Sequence, residues 1–76
     1  MGERDYRATF GQRLKELRLA RGLNQEDLAA QAGVDRTYIS QAERGVRNPT
    51  LGTMTKLAKA LDVDVTELLT LQAESK

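Results

Sequence analysis

The 76-residue chain contains no cysteine and no histidine. These two absences exclude disulfide bonds, thiol catalysis and the ligand set of a zinc finger. No apolar run approaches the roughly 18 residues that a membrane-spanning helix requires, and the amino terminus lacks the apolar core of a secretory signal. We therefore expect a cytoplasmic protein with no metal site, no cofactor and no membrane partner.

Catalytic motifs are missing as well. Without histidine or cysteine, a hydrolase would need paired carboxylates or a Ser-Lys arrangement, and the acidic residues stand at spacings that do not converge. Gly45 and Gly52 are isolated, so there is no phosphate-binding loop of the G-x-x-x-x-G-K-[ST] type. Asp62 and Asp64 lack the glycine and the terminal glutamate of a calcium loop. The sequence predicts that the protein is not an enzyme and has no small-molecule substrate.

The composition is that of one small helical domain. Apolar residues make up 39% of the chain and charged residues 30%, a globular balance in which helix-favouring residue types are frequent. The net charge of +1 hides an asymmetry, because residues 1–22 carry six basic and three acidic groups (+3), and residues 61–76 carry one basic and four acidic groups (−3). Phosphates would attract the first end and repel the second, so this charge distribution could orient the domain on a duplex.

Residues 25–44 have the spacing of two short helices that cross through a tight turn. Small and apolar residues recur one turn apart on either side of Gly33, which can take positive φ at no steric cost. Asn24 and Asp35 stand where helix N-caps would accept hydrogen bonds from free backbone N–H groups. The apolar positions of the two helices are Leu28, Ala29, Ala32, Ile39 and Ala42. The stretch predicts a helix-turn-helix.

Hydrogen-bonding side chains cluster at the solvent-facing side of the second helix, as in a recognition helix. Arginine can bind guanine O6 and N7, glutamine can bind adenine N6 and N7, and threonine offers a hydroxyl and a methyl. We assign base reading to Arg36, Thr37 and Gln41. Phosphate contacts are expected from Gln25, Tyr38, Ser40, Arg44, Arg47 and Asn48. An ordinary polar surface face is the alternative for a lone helix, but the turn before this helix favours the first interpretation.

The motif resembles a known family. Gln25, Ala29, Gly33, Ile39 and Ala42, followed by the sequence ERG at 43–45, match the Cro and phage-repressor helix-turn-helix regulators, and residues 36–50 look similar to the small controller proteins of restriction-modification systems. The resemblance covers nearly the whole chain. It implies a lambda-repressor-like fold, a homodimer, and regulation of transcription from a two-fold symmetric operator.

The first helix is predicted from about Thr9 to Arg21, with Phe10, Leu14 and Leu17 as its buried stripe. Residues 1–7 show no apolar periodicity and are predicted to form a flexible arm. Counting about 100° per residue, Arg18 falls near Leu14 on the buried side, and a buried guanidinium needs a partner. Glu43 is likewise inward on the recognition helix, four residues after Ile39. We therefore predict an ion pair between Arg18 and Glu43, and the family resemblance implies the same pair.

Two further helices should follow a loop with two arginines. Thr50 is predicted to cap a fourth helix, whose inward face is Leu51, Met54, Leu57, Ala58 and Leu61. Asp64 and Glu67 form a D-x-x-E capping pattern that opens a fifth. There Val65 and Leu69 can pack inward, whereas Leu68 and Leu71 extend the stripe sideways, and we assign the dimer interface to Leu68, Leu71 and Val65. The alternative is that these apolar residues only complete a small core.

Together these patterns predict an all-α, five-helix compact bundle with a central helix-turn-helix. Residues 8–72 would form the DNA-binding domain with its C-terminal dimerisation helix, and residues 73–76 a tail. The predicted function is a sequence-specific regulator that binds a palindromic operator in double-stranded DNA as a homodimer, with RNA polymerase a further candidate partner and a restriction-modification operon a candidate target. The alternative from another class is a protein-interaction module or an antitoxin-type partner-binding protein that uses the same helices.

Overall fold

The computed structural model describes residues 6–69, which form four α-helices and one short 3₁₀ helix and contain no strand. Helix α1 spans Tyr6–Ala20, α2 Gln25–Ala32, α3 Arg36–Glu43 and α4 Leu51–Leu61, and the 3₁₀ helix spans Val65–Leu69. The prediction of an all-helical chain is confirmed over this range. Helix α1 begins three residues before the predicted start, so that Tyr6 and Arg7, placed in the arm by sequence, are helical. Residues 1–5, the tail at 73–76 and Leu71 of the predicted dimer interface lie outside the described range.

The prediction of a fifth α-helix was wrong, and the error changes which leucine is buried. Val65–Leu69 is a 3₁₀ helix with about three residues per turn, so side chains at i and i+3 lie on one face. Val65 and Leu68 therefore point the same way: Leu68 is fully buried, and Val65 is half-buried against the core. Leu69, which an α-helical count places with Val65, is 49% exposed. Leu68 is thus a core residue, and its assignment to a dimer interface is corrected. Val65 is only partly buried, and its assignment to the interface stays a prediction.

Three of the four predicted helix starts involve a side-chain hydrogen bond, although not always the expected one. The Asp27 backbone N–H donates to Asn24 Oδ1 at 2.7 Å, and the Asn24 N–H donates back to Asp27 Oδ2 at 3.2 Å, which is a reciprocal capping box. Thr50 caps α4 by accepting from the Thr53 N–H. Asp35, by contrast, precedes α3 in extended backbone geometry and accepts no cap hydrogen bond with its side chain; that prediction was wrong.

The predicted capping box that opens the last helix is replaced by a local turn. Asp64 Oδ1 accepts from the backbone N–H and from the hydroxyl of Thr66, both at 3.1 Å. These hydrogen bonds hold the pKa of the exposed Asp64 carboxyl below its ordinary value. The Glu67 side chain turns away towards α1, so the turn at Asp64 opens a 3₁₀ segment and no reciprocal cap forms.

The core lies between α1, the helix-turn-helix and the α4–3₁₀ pair. Its largest fully buried side chains are Phe10, Leu14, Leu28, Ile39, Leu57, Leu61 and Leu68. Helix α3 packs on α1 and α2, whereas the 3₁₀ helix packs on α1 and α4. This arrangement leaves the polar side of α3 in solvent, on a different flank from the 3₁₀ helix. Within residues 6–69, no helix is long and apolar enough to cross a membrane.

A glycine permits the close approach of α1 to α3. Gly11 is buried, and a Cβ atom built on it would overlap the Ala42 carbonyl oxygen and lie 3.1 Å from the Glu43 carbonyl oxygen. Any larger residue at this position would separate α1 from the C-terminal end of α3. The backbone of the recognition helix is therefore seated directly on α1.

The basic and acidic ends of the chain meet each other in the fold. Arg13 is buried on α1; its Nε donates to the Glu67 carbonyl oxygen at 2.9 Å, and its Nη2 lies 3.3 Å from Glu67 Oε1. Arg21 Nη2 lies 3.4 Å from Asp62 Oδ2 in an exposed pair. Two of the basic groups of residues 1–22 are thus paired with acids of the C-terminal segment. The orientation of the domain on DNA by its charge distribution stays a prediction.

Candidate nucleic-acid interface

The exposed face of α3 is polar along its whole length. Taking Arg36 as the origin and counting about 100° per residue, Ser40, Arg44, Thr37 and Gln41 fall within an arc of about 140°. The inward residues Ile39 and Ala42 are buried on the opposite side. Arg36, Thr37 and Arg44 are exposed, and Ser40 and Gln41 are half-buried. The structure therefore brings all three predicted base-reading residues onto one face, together with Ser40 and Arg44.

Two arginines on this face are free to bind a ligand. The guanidinium groups of Arg36, the first residue of α3, and of Arg44, its C-cap residue, make no hydrogen bond or ion pair with any other residue in the described part of the chain. Arg36 also lines a shallow polar depression with Asn24 and Gln25 at the start of α2. Unpaired guanidinium groups at both ends of an eight-residue helix give the face positive charge and forked donors suited to phosphates or guanine edges.

A buried ion pair supports the motif from behind. Arg18 Nε donates to Glu43 Oε2 at 2.6 Å, and Arg18 Nη2 donates to Glu43 Oε1 at 3.0 Å. The side chains are only 9% and 4% exposed. The hydrogen-bonded Glu43 carboxylate raises the pKa of the Arg18 guanidinium above its ordinary value, so that Arg18 is charged throughout the accessible pH range. The two side chains that the sequence paired lie in bidentate contact, which joins α1 to α3.

Gln25 belongs to the same cluster. Its Nε2 donates to Glu43 Oε1 at 3.0 Å, so that one carboxylate on α3 accepts hydrogen bonds from α1 and from the start of α2. The sequence analysis assigned Gln25 to phosphate binding alone. In the structure its side chain is half-buried, and it also joins α2 to α3.

Tyr38 differs most from its predicted role. Its hydroxyl is buried and has no hydrogen-bond partner among the residues that the structure describes. Burial raises the pKa of this hydroxyl, and the nearby positive charge of Arg47 opposes the rise. The Arg47 guanidinium carbon lies 5.2 Å from the centre of the Tyr38 ring, within cation–π range. A phosphate contact by the Tyr38 hydroxyl is thus not available in this conformation.

The loop after α3 is attached to α1 at its far end. The Tyr6 hydroxyl donates to Asn48 Oδ1 at 3.0 Å, and Gly45 packs against Ala8. Because Asn48 accepts through Oδ1, its amide N–H groups stay available as donors. The predicted arm therefore contributes a residue, Tyr6, that supports the loop, and no pattern in the sequence indicated this contact.

Comparison with known proteins identifies the fold that carries this interface. The family described as helix-turn-helix matches residues 14–68. The chain belongs to the helix-turn-helix family. The control protein C.BamHI of Bacillus amyloliquefaciens is 44% identical over 64 residues, which cover 83% of this chain and 79% of that protein. The predicted resemblance to helix-turn-helix regulators and restriction-modification controllers is confirmed.

Solved structures of the family agree in fold. The restriction-modification controller protein C.AhdI from Aeromonas hydrophila gives a TM-score of 0.80 at 53% identity and covers 82% of this chain and 94% of C.AhdI. The biofilm master regulator SinR, crystallised in complex with DNA, gives a TM-score of 0.77 at 39% identity over 80% of this chain and 98% of the crystallised chain. The N-terminal DNA-binding domain of SinR from Bacillus subtilis gives a TM-score of 0.81 at 37% identity over 88% of this chain and 99% of that chain. As a member of this family, the protein is a DNA-binding transcription regulator.

Proposed function

We propose that the protein regulates transcription by binding a palindromic operator as a homodimer, with α3 of each protomer in a major groove. The observation that supports this most directly is the solvent face of α3, where exposed Arg36, Thr37 and Arg44 stand beside Gln41. The N-terminal turns of a recognition helix are the part that contacts base edges in this type of docking. The buried clamp between Arg18 and Glu43 holds that face in place.

Base contacts are assigned to Arg36, Thr37 and Gln41. Arg36 is exposed and unpaired within the described range, so its fork is available for guanine O6 and N7. Thr37 lies one turn before Gln41 on the same side of α3, and its methyl and hydroxyl suit a thymine or a neighbouring base edge. Each good bidentate contact contributes about 1–3 kcal/mol of discrimination against the wrong base.

Phosphate contacts are assigned to the residues around that centre. Arg44 presents an unpaired guanidinium at the end of α3, and Ser40 lies between Arg36 and Arg44 on the helix face. Gln25, Arg47 and Asn48 each make one side-chain hydrogen bond within the protein and retain further N–H groups for phosphate oxygens. Such contacts fix orientation on the duplex and carry no sequence information themselves.

Dimerisation is assigned to the flank formed by α4 and the 3₁₀ helix. One recognition helix touches only a few base pairs, so two copies with recognition helices about 34 Å apart are needed for specific binding. Leu51 at the start of α4 is 68% exposed, and Leu69 at the end of the 3₁₀ helix is 49% exposed. This flank therefore presents apolar side chains that are not buried in the core. Because α3 packs on α1 and α2, contact through this flank leaves both recognition helices free.

The named relatives suggest the genes under control. C.BamHI and C.AhdI carry the names of restriction-modification control proteins, and this chain matches both over most of their lengths. We propose that the protein controls a restriction-modification operon, where an operator-bound dimer could act as repressor or activator and contact RNA polymerase.

Selection of duplexes from a random pool, followed by footprinting, tests the function. The enriched sequence is expected to be a near-palindrome with half-sites one helical turn apart. Arg36→Ala should reduce the preference for the operator over random DNA by about 1–3 kcal/mol, and Arg44→Ala should weaken both kinds of DNA alike and lower the salt slope by about one. Lys56→Ala removes a positive charge from α4 and is the control. A pool with no enriched sequence would favour a protein-interaction module.

A further inference from the structure

Gln41 and Tyr38 lie one turn apart on α3, and Arg47 contacts both. Arg47 Nε donates to Gln41 Oε1 at 3.0 Å, and the guanidinium lies over the Tyr38 ring at 5.2 Å from its centre. Residues at i and i+3 on a helix are surface neighbours, so one side chain can span them. The three residues form a stack from the half-buried ring, through the guanidinium, to the Gln41 amide.

The backbone places Arg47 where it can make these contacts. Gly45, the residue after the C-cap of α3, lies in the left-handed region at φ +79. Its N–H donates to the Ala42 carbonyl oxygen at 3.0 Å, and the Val46 N–H donates to the Gln41 carbonyl oxygen at 3.1 Å. This pair of hydrogen bonds is the Schellman arrangement, which folds the chain back over the last turn of the helix. Arg47 therefore leaves the helix end in a direction fixed by two backbone hydrogen bonds.

The hydrogen bond from Arg47 also fixes the orientation of the Gln41 amide. An arginine Nε–H can only donate, so the amide atom facing it must be the carbonyl oxygen. Without that bond, a half-buried glutamine could rotate its amide and present either donor or acceptor to a base. Discrimination by glutamine depends on presenting both at once to the correct edge, and loss of a fixed orientation relaxes it.

We propose that Arg47 is a positioning residue for sequence specificity: seated on the Tyr38 ring, it orients the Gln41 amide and thereby sets the base preference at the base pair that Gln41 contacts. This inference rests on the proposed function. It adds to the phosphate contact assigned to Arg47 a second role, which acts through Gln41.

Base preferences measured at every operator position test the proposal. The variants are Arg47→Met, which keeps an unbranched side chain but cannot donate, Gln41→Ala, and the double variant. Arg44→Met is the matched control, because Arg44 is an exposed arginine on the same face with no partner in the described chain. Circular dichroism confirms that each variant is folded.

We expect Gln41→Ala to reduce the preference at one base pair by roughly tenfold or more. Arg47→Met should reduce the preference at that same base pair, and the double variant should show no further reduction. Arg44→Met should lower affinity for all sequences by a similar factor and leave every base preference unchanged. Arg47→Met also loses a positive charge, but that loss cancels in the ratio between two sequences.

Three results would overturn the proposal. Arg47→Met could weaken all sequences equally, which would leave Arg47 a phosphate contact alone. It could instead change the base preference at a position other than the one that Gln41 contacts, which would make Arg47 a direct base contact. Gln41→Ala could leave all preferences unchanged, so that there is nothing for Arg47 to orient. A wild-type protein that selects no sequence at all overturns the proposed function and this inference together, and is distinguished from the other results by the selection itself.

Discussion

Replacement of Arg18 by methionine tests the central support of the recognition helix. Methionine preserves much of the side-chain volume but removes both hydrogen bonds to Glu43 and the donation from Nη1 to the Leu23 carbonyl oxygen at 2.8 Å. The Glu43 side chain, 4% exposed, would keep only the Gln25 amide as a partner. An uncompensated buried carboxylate of this kind costs about 3–5 kcal/mol.

That cost is large for a chain of this size. Native domains have about 0.05–0.15 kcal/mol of stability per residue, which corresponds to roughly 4–11 kcal/mol for 76 residues. Arg18→Met should therefore lower the melting temperature by about 4–8 °C for each kcal/mol lost, and it could leave the domain partly unfolded at 37 °C. Urea unfolding followed by far-UV circular dichroism, at one fixed protein concentration because dimerisation adds to stability, gives the free energy of unfolding directly.

Arg21→Met is the matched control for this experiment. Arg21 follows the end of α1 and pairs with Asp62, but its side chain is 45% exposed and that of Asp62 is 89% exposed. An exposed pair of this kind contributes about 0–1 kcal/mol. The double variant Arg18→Met with Glu43→Leu should recover most of the loss, because apolar residues of similar volume often replace a buried ion pair without cost. Equal destabilisation by Arg18→Met and Arg21→Met, or additive single changes in the cycle, would refute the reasoning.

Three further experiments test packing, burial and assembly. Gly11→Ala should destabilise by about 3 kcal/mol in urea unfolding, because its Cβ would overlap the backbone of α3, whereas Gly52→Ala on exposed α4 should stabilise by about 0.5–1 kcal/mol; equal effects would disprove the close contact. Tyr38→Phe should raise stability by about 1 kcal/mol by removing an unpaired buried hydroxyl. Burial raises the pKa of the Tyr38 hydroxyl, so the fold should keep its stability below pH 10 and lose some of it as pH rises through the raised value; an ordinary titration of Tyr38 seen by NMR contradicts this. Leu69→Lys should give a folded monomer by light scattering and Leu68→Lys an unfolded chain, and a Leu69→Lys dimer would exclude this flank.

The sequence predicted well where helical periodicity alone decides the position of a side chain. An angular count on α1 placed Arg18 inward, and the structure has it buried beside Glu43. The same count places Arg13 about 60° from Phe10, so the second buried arginine of α1 was accessible to the same reasoning and was missed. One of its partners, Glu16 at i+3 on α1, was accessible to the same count. The other, a backbone carbonyl of the 3₁₀ helix, could not be predicted, because it depends on how the end of the chain folds back over α1.

Predictions failed where the choice between two local geometries depends on tertiary packing. Asp64 followed by Glu67 suits either a capping box or a turn that begins a 3₁₀ helix, and the Glu67 side chain is drawn to Arg13 on α1. The resulting change from about 100° to about 120° per residue exchanges Leu68 and Leu69 between core and solvent. On α3, Tyr38 was assigned to the polar surface, but its ring packs against the core. The position of a tyrosine in a helical pattern does not show whether its apolar ring or its hydroxyl is buried.

The stability of the fold and the geometry of the candidate interface depend on the same carboxylate. Glu43, on the inner side of α3, accepts hydrogen bonds from Arg18 of α1 and from Gln25 at the start of α2, so it joins three helices. Gln25 is also a candidate phosphate ligand, which means that its orientation towards DNA depends on a residue that does not contact DNA. Small displacements of a positioned group weaken recognition steeply. Glu43→Gln, in a sample kept cold enough to remain folded, should therefore lower affinity for both operator and random DNA in a binding titration.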